Sequence, residues 1–181
     1  MITASAPTFR LMADWERTNK CRVLWPYRKD IWRKNAVPVQ ETMISVVSAI
    51  HELGTEVSVY TKPDLYNSTR GRFPEDISVN RLEYNDIWVR DTGPTYVMND
   101  IIKEVKGIDW NFNAYGGIYK DFADDNNLAR RLMCQMKMGR LDGTYLTTEG
   151  GAFVTDGEGT VITTESVLLN PNRNPGLTKE R

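Results

Sequence analysis

The chain has 181 residues, of which 40 % are hydrophobic and 26 % charged, the balance of a soluble globular protein and not of a disordered or fibrous one. Its 23 basic and 24 acidic residues leave a net charge of −1, which gives no electrostatic footprint for nucleic acid or for an anionic membrane. The apolar runs are far shorter than a bilayer span. The N-terminal MITASAPTFRLMADWER lacks the basic start and long apolar segment of a signal peptide, so the expected compartment is the cytoplasm.

In chain order, CRVLWPY (21–27) is predicted as a buried strand. PVQETMISVVSAIHELG (38–54) carries Val39, Met43, Val46, Val47 and Ile50 at helical spacing, with Pro38 near the start and Gly54 past the end. EVSVYT (56–61) then alternates as a strand. ISVNRLEY (77–84), IWVRDTGPTYVMND (87–100) and IIKEVKGIDWNFN (101–113) are predicted as three further strands. DFADDNNLARRLMCQMKM (121–138) follows as a helix, with Asp121, Asp124 and Asp125 near its positive end. TYLTTEGGAFV (144–154), TVITTES (160–166) and VLLN (167–170) return to strand, and DGEGT (156–160) has hairpin chemistry. The expected class is α/β, with strand–helix–strand modules repeated about twice and a third beginning.

The chemistry concentrates in a few strings. In NDIWVRDTGPTYV, two carboxylates and an arginine interrupt an otherwise apolar strand, a costly arrangement unless the charges are paired. The plain readings are a cap for Asp86 and a structural salt bridge for Arg90 and Asp91. Trp88, three residues before Asp91, gives an aromatic face beside acids, which suits a flat cationic group. In TTEGGAFV, Glu149 precedes two glycines; such a pair marks a bulge or the close approach of another backbone or a ligand, with a solvated Glu149 as the plain reading. The other tryptophans are expected in the core. Cys21 and Cys134 have no metal-ligand spacing, no histidine beside them, and the pattern of small buried hydrophobes. The single histidine, His51, excludes a site built on paired histidines within these residues.

LMADWERTNKCRVLWPYRKDIWR, NDIWVRDTGPTYV, DWNFNAYGG, KDFADDNNLARRL and EGGAFVTDGEGTVITTESVLLNPNRNP occur in the order seen in agmatine deiminases, and the chain resembles that family from about Met12 to its end. The family stands with the bacterial-type peptidyl-arginine deiminases among guanidine-modifying enzymes. The resemblance implies a five-bladed pseudo-symmetric α/β propeller, pentein-type. This chain would be its N-terminal half: a first module over about 12–75, a second over about 76–145 and the start of a third over about 146–181. It implies hydrolysis of agmatine to N-carbamoylputrescine and ammonia through a cysteine thiolate and a histidine acid/base, with no cofactor and no metal. By resemblance Asp91 binds the substrate guanidinium, Trp88 lines its pocket, and Glu149 is the catalytic acid at the reaction centre. The family's cysteine and histidine fall beyond residue 181, and neither Cys21, Cys134 nor His51 matches them. The chain alone is therefore expected to be inactive. The expected partners are a small guanidinium substrate, a second copy of the chain or the C-terminal half, with no nucleic acid or membrane. A non-catalytic guanidinium-binding module and a peptidyl-arginine deiminase activity are the alternatives.

Overall fold

A computed structural model describes residues 8–180. The strands are β1 (Arg10–Leu11), β2 (Lys20–Leu24), β3 (Glu56–Thr61), β4 (Ser78–Arg81), β5 (Thr95–Asn99), β6 (Glu104–Asn111), β7 (Gly139–Thr147), β8 (Phe153–Thr155) and β9 (Val161–Thr163). The longer helices are α1 (Val37–Glu52) and α2 (Leu128–Gln135). Two compact units divide the chain: one holds residues 17–89 with 123–125, the other holds the remaining segments. No helix among the described residues is long and apolar enough to cross a membrane.

In the first of these, β2, β3 and β4 form a parallel sheet with β3 in the middle, Val23 opposite Val59 and Val59 opposite Val79. α1 forms where its spacing predicts. Pro38 lies in its first turn, and Gly54, at φ +82°, takes the left-handed conformation that ends it. Val47 faces a core of Trp25, Val57, Val59, Phe73, Ile77 and Val79, in which the Trp25 and Phe73 rings meet edge to face at 5.5 Å. Val46 of the predicted apolar stripe is exposed instead. His51 pairs with Asp76 on the surface, at 2.9 Å.

Residues 123–125 join this unit through a reciprocal clamp. Asn85 Oδ1 accepts the backbone N–H groups of Asp124 and Asp125, at 2.8 and 3.1 Å. Asp125 Oδ1 in return accepts those of Asn85 and Asp86, at 2.7 and 3.1 Å. The predicted helix over 121–138 is accordingly broken: Ala123–Asn126 makes one turn and α2 begins only at Leu128. Asn126 Oδ1 is committed to the Phe112 N–H at 2.8 Å, so side chains near the break serve distant backbone.

The second unit is built on a sheet in the order β1-β5-β6-β7, antiparallel except for the parallel β6–β7 pair. Leu128, Ala129, Leu132 and Met133 of α2 are its buried face, and Met133 seats over Gly107, where a Cβ would strike its sulfur. Asp109 on β6 is fully buried, and its Oδ2 accepts from Arg130 at 3.1 Å and from Arg140 at 2.7 Å. β8 and β9 form the expected hairpin; Asp156 Oδ1 accepts the Glu158 and Thr160 N–H groups, and Gly157 and Gly159 take positive φ.

Several expectations are corrected. Residues 87–100 are not one strand: Val89–Thr92 is a helical turn and β5 starts at Thr95, after Gly93-Pro94. A strand would have sent Arg90 and Asp91 to opposite faces, one of them into the core; the turn avoids that. Residues 144–154 likewise break after Thr147 into the 3-10 turn Gly150–Ala152, and 167–170 lie in and after the helical turn Glu165–Leu168, closed by Leu169 N–H on Glu165 O. Cys134 is exposed and Cys21 only partly buried, and Trp15 is exposed outside any core.

Burial pushes the Asp125 carboxyl up to about 6 despite its two backbone N–H bonds, and its Oδ2 has no partner. A folded-state value above the unfolded one gives stability that is present below about pH 4 and lost as pH rises through about 6. Asp125→Asn removes that titration. Its stability relative to the native chain is expected to rise by up to about 3 kcal/mol between pH 4 and pH 7, measured as the pH dependence of the difference in urea unfolding.

Candidate functional site

Asp91 sits in the turn before β5, half-buried. Its Oδ2 accepts the Tyr115 hydroxyl at 2.8 Å, and its Oδ1 accepts the Gly151 N–H at 3.1 Å. Both donors are neutral, and no basic side chain pairs with Asp91 among the described residues. Arg90, its neighbour, turns away to Asp14 at 2.8 Å, which agrees with a structural role.

Tyr115 reaches Asp91 from an unusual loop. Ala114, Tyr115, Gly116 and Gly117 run through φ values of +57°, +57°, +87° and +89°, a left-handed path that L-residues enter only at a cost. Asn113 braces it: its Oδ1 accepts the Gly116 N–H at 2.9 Å, and its Nδ2 donates to Asn172 O at 2.8 Å. Phe112 packs edge-on against the Tyr115 ring at 5.2 Å. Burial first, then the bond to Asp91 and the charges of Asp91 and Glu149, raise the Tyr115 phenol well above its usual range, so it keeps its proton and donates.

Glu149 is only 3 % exposed, not solvated. Its Oε1 accepts Arg173 Nε at 2.9 Å, and the Arg173 side chain is 12 % exposed, so this is a buried, charge-balanced pair. The backbone leading to Glu149 is fixed by Asn174, whose Oδ1 accepts the Thr147 N–H and whose Nδ2 donates to Thr147 O, both at 2.8 Å.

The two glycines after Glu149 have a steric reason. A Cβ on Gly150 would strike the Arg90 carbonyl oxygen, and one on Gly151 would strike Asp91 Oδ1. The Glu-Gly-Gly string and the turn carrying Asp91 touch backbone to backbone, so the close approach suggested by the sequence occurs, and the partner is the chain itself.

Of the three residues singled out from the sequence, Asp91 and Glu149 lie in the same unit; Asp91 bonds the Tyr115 hydroxyl, and Glu149 is held by Arg173. Trp88 belongs to the other unit. There Asp86 Oδ2 accepts its indole N–H at 3.0 Å, Asp86 Oδ1 accepts the Ile87 N–H, and the Trp32 ring lies 6.3 Å away. Asp86 therefore does more than cap a turn. Tyr115 and Arg173 were not singled out by sequence reasoning, although both lie within conspicuous strings; the signal for Tyr115 was the pair of glycines that follows it. A cavity of about 370 Å³ opens beside Arg173, lined also by Asn111, Tyr145, Thr147 and Leu177, with neither acid on its wall. Among the described residues, no group of three or more His, Cys, Asp or Glu side chains could hold a metal ion.

A profile of the Porphyromonas-type peptidyl-arginine deiminase family matches residues 10–181. The agmatine deiminase of Pseudomonas aeruginosa is 38 % identical over 182 residues, covering 98 % of this chain and 49 % of the relative. That of Pseudomonas putida is 38 % identical over 184 residues, covering 99 % and 50 %. The solved agmatine deiminase of Enterococcus faecalis superposes with a TM-score of 0.89 at 38 % identity, covering 95 % of this chain and 48 % of that one. The mixed α/β fold is that of these deiminases, the pentein fold, and the chain spans about half the length of the curated relatives it matches.

Gly150→Ala sets a methyl against backbone oxygen and is expected to cost about 1 to 3 kcal/mol; Gly151→Ala meets a side chain that can swing aside and is expected to cost less. Arg173→Met leaves Glu149 buried without its cation and is expected to cost about 3 to 5 kcal/mol. Urea unfolding of the three variants checks the order.

Proposed function

The chain belongs to the Porphyromonas-type peptidyl-arginine deiminase family, and from that premise we propose that it supplies the guanidinium-holding part of an agmatine-hydrolysing site. The observation that carries the reading is the state of Asp91. Its two oxygens are held by neutral donors, and its charge is left for a cation from outside the protein. An ionised carboxylate accepts about two bonds per oxygen, so each oxygen of Asp91 keeps a lone pair for one arm of a guanidinium fork.

In this reading Asp91 binds the guanidinium and Glu149 is the second acid at the reacting carbon. The reaction is hydrolysis of agmatine to N-carbamoylputrescine and ammonia, through a thiolate that attacks the guanidinium carbon and a histidine that moves the protons. Neither cysteine here suits the nucleophile's part. Burial raises the Cys21 thiol, which disfavours the thiolate, and Cys134 stands exposed on α2. Both cysteines are free, which suits a reducing, cytoplasmic setting. The chain carries two propeller modules, over about residues 12–75 and 76–145, and opens a third.

A second reading, a guanidinium-binding module without turnover, is favoured by one observation: neither cysteine present suits the nucleophile's part. Two measurements separate the readings. The 181-residue chain is expected to release no ammonia from agmatine, and turnover without a cysteine would refute the assignment. Calorimetric titration with agmatine is expected to show binding that Asp91→Ala abolishes; restoration of turnover when the segment carrying the cysteine and histidine is supplied decides for the enzyme.

A further inference from the structure

We propose that Tyr115 makes this site prefer a guanidinium over an ammonium head group by fixing the rotation of the Asp91 carboxylate. The inference rests on the reading of Asp91 as the guanidinium acceptor. A carboxylate turns freely about its Cβ–Cγ bond unless both oxygens are tethered. Here both are: Oδ1 by the Gly151 N–H at 3.1 Å and Oδ2 by the Tyr115 hydroxyl at 2.8 Å. The plane of the carboxylate is thereby set, with one lone pair left at each oxygen.

That plane matters to one kind of ligand. A guanidinium is flat and offers two parallel N–H bonds, which a carboxylate receives together only when the two planes align. An ammonium is a compact point charge with rotatable donors and responds little to the carboxylate's rotation. Without the phenolic hydroxyl, Asp91 would pivot on the Gly151 tether alone; its charge would stay, and its geometry would not.

The loop is built for this contact. This loop holds two of the chain's positive-φ non-glycine residues, Ala114 and Tyr115; the Asn113 Oδ1 closes the turn on the Gly116 N–H, and its Nδ2 ties the turn to Asn172 O. Strain of this kind persists only where the surroundings over-determine it, and it gathers at functional sites. What it produces here is the placement of one hydroxyl. The string DWNFNAYGG, conspicuous in the sequence, acquires a role through that placement.

The experiment titrates the 181-residue chain and its Tyr115→Phe variant with agmatine and with putrescine, which carries an ammonium in place of the guanidinium. Tyr115→Phe keeps the ring and its packing, and thermal melts monitored by circular dichroism confirm that the variant is folded. The expected result is a loss of about tenfold in agmatine affinity, with putrescine affinity unchanged. Unchanged agmatine affinity, or an equal loss for both ligands, would overturn the inference while leaving Asp91 as the acceptor. A native chain that binds neither ligand would overturn the reading of Asp91, and this inference with it.

Discussion

The candidate site depends on a backbone contact, that of Gly150 with the Arg90 carbonyl oxygen. A methyl on Gly150 would strike that oxygen, and one on Gly151 would have to displace the Asp91 carboxylate. Backbone approach of this kind fixes position more firmly than side-chain packing, because no rotamer can absorb an error. From it follows the bond from the Gly151 N–H to Asp91. Two segments far apart in sequence touch because two glycines permit it.

The molecule handles buried acids in different ways, and the differences are informative. Asp109 receives two arginines and Glu149 receives one, so both charges are neutralised within the protein. Asp125 receives only backbone N–H groups and one of its oxygens is orphaned, which is why burial prevails and its proton is held more tightly. Asp91 is bound by neutral donors at both oxygens while half-exposed. Asp109 and Glu149 are compensated by arginines; among the described residues Asp125 and Asp91 are held by neutral donors alone, the first buried and the second half-buried.

Much of the scaffold was legible in the sequence. β3 was read to the residue and α1 nearly so, because hydrophobic period, proline and glycine all agreed there. Reading failed where polar side chains serve distant backbone. Nothing local to Asn85 announces that it will cap Asp124 and Asp125, and that bond breaks the helix expected over 121–138. The turn at Val89–Thr92 was missed because Ile, Trp and Val outweighed the charges in a count of strand formers. Within the site, Asp91 and Glu149 could be found as charges in apolar company. Tyr115 could not, because its importance lies in a left-handed path for which the two glycines were the only local clue.

The clamp between Asn85 and Asp125 also orders events during synthesis. The parallel sheet of β2, β3 and β4 is complete in sequence by Arg81, yet its unit closes only when residues 123–125 arrive. A ribosome delivers the whole of β5 and β6 in the interval. The nascent chain must keep the Asn85 and Asp86 amides waiting, wetted by water, until their acceptor emerges. No single cut of the polypeptide can therefore release this unit whole, and its last contacts form only after part of its neighbour has already been made.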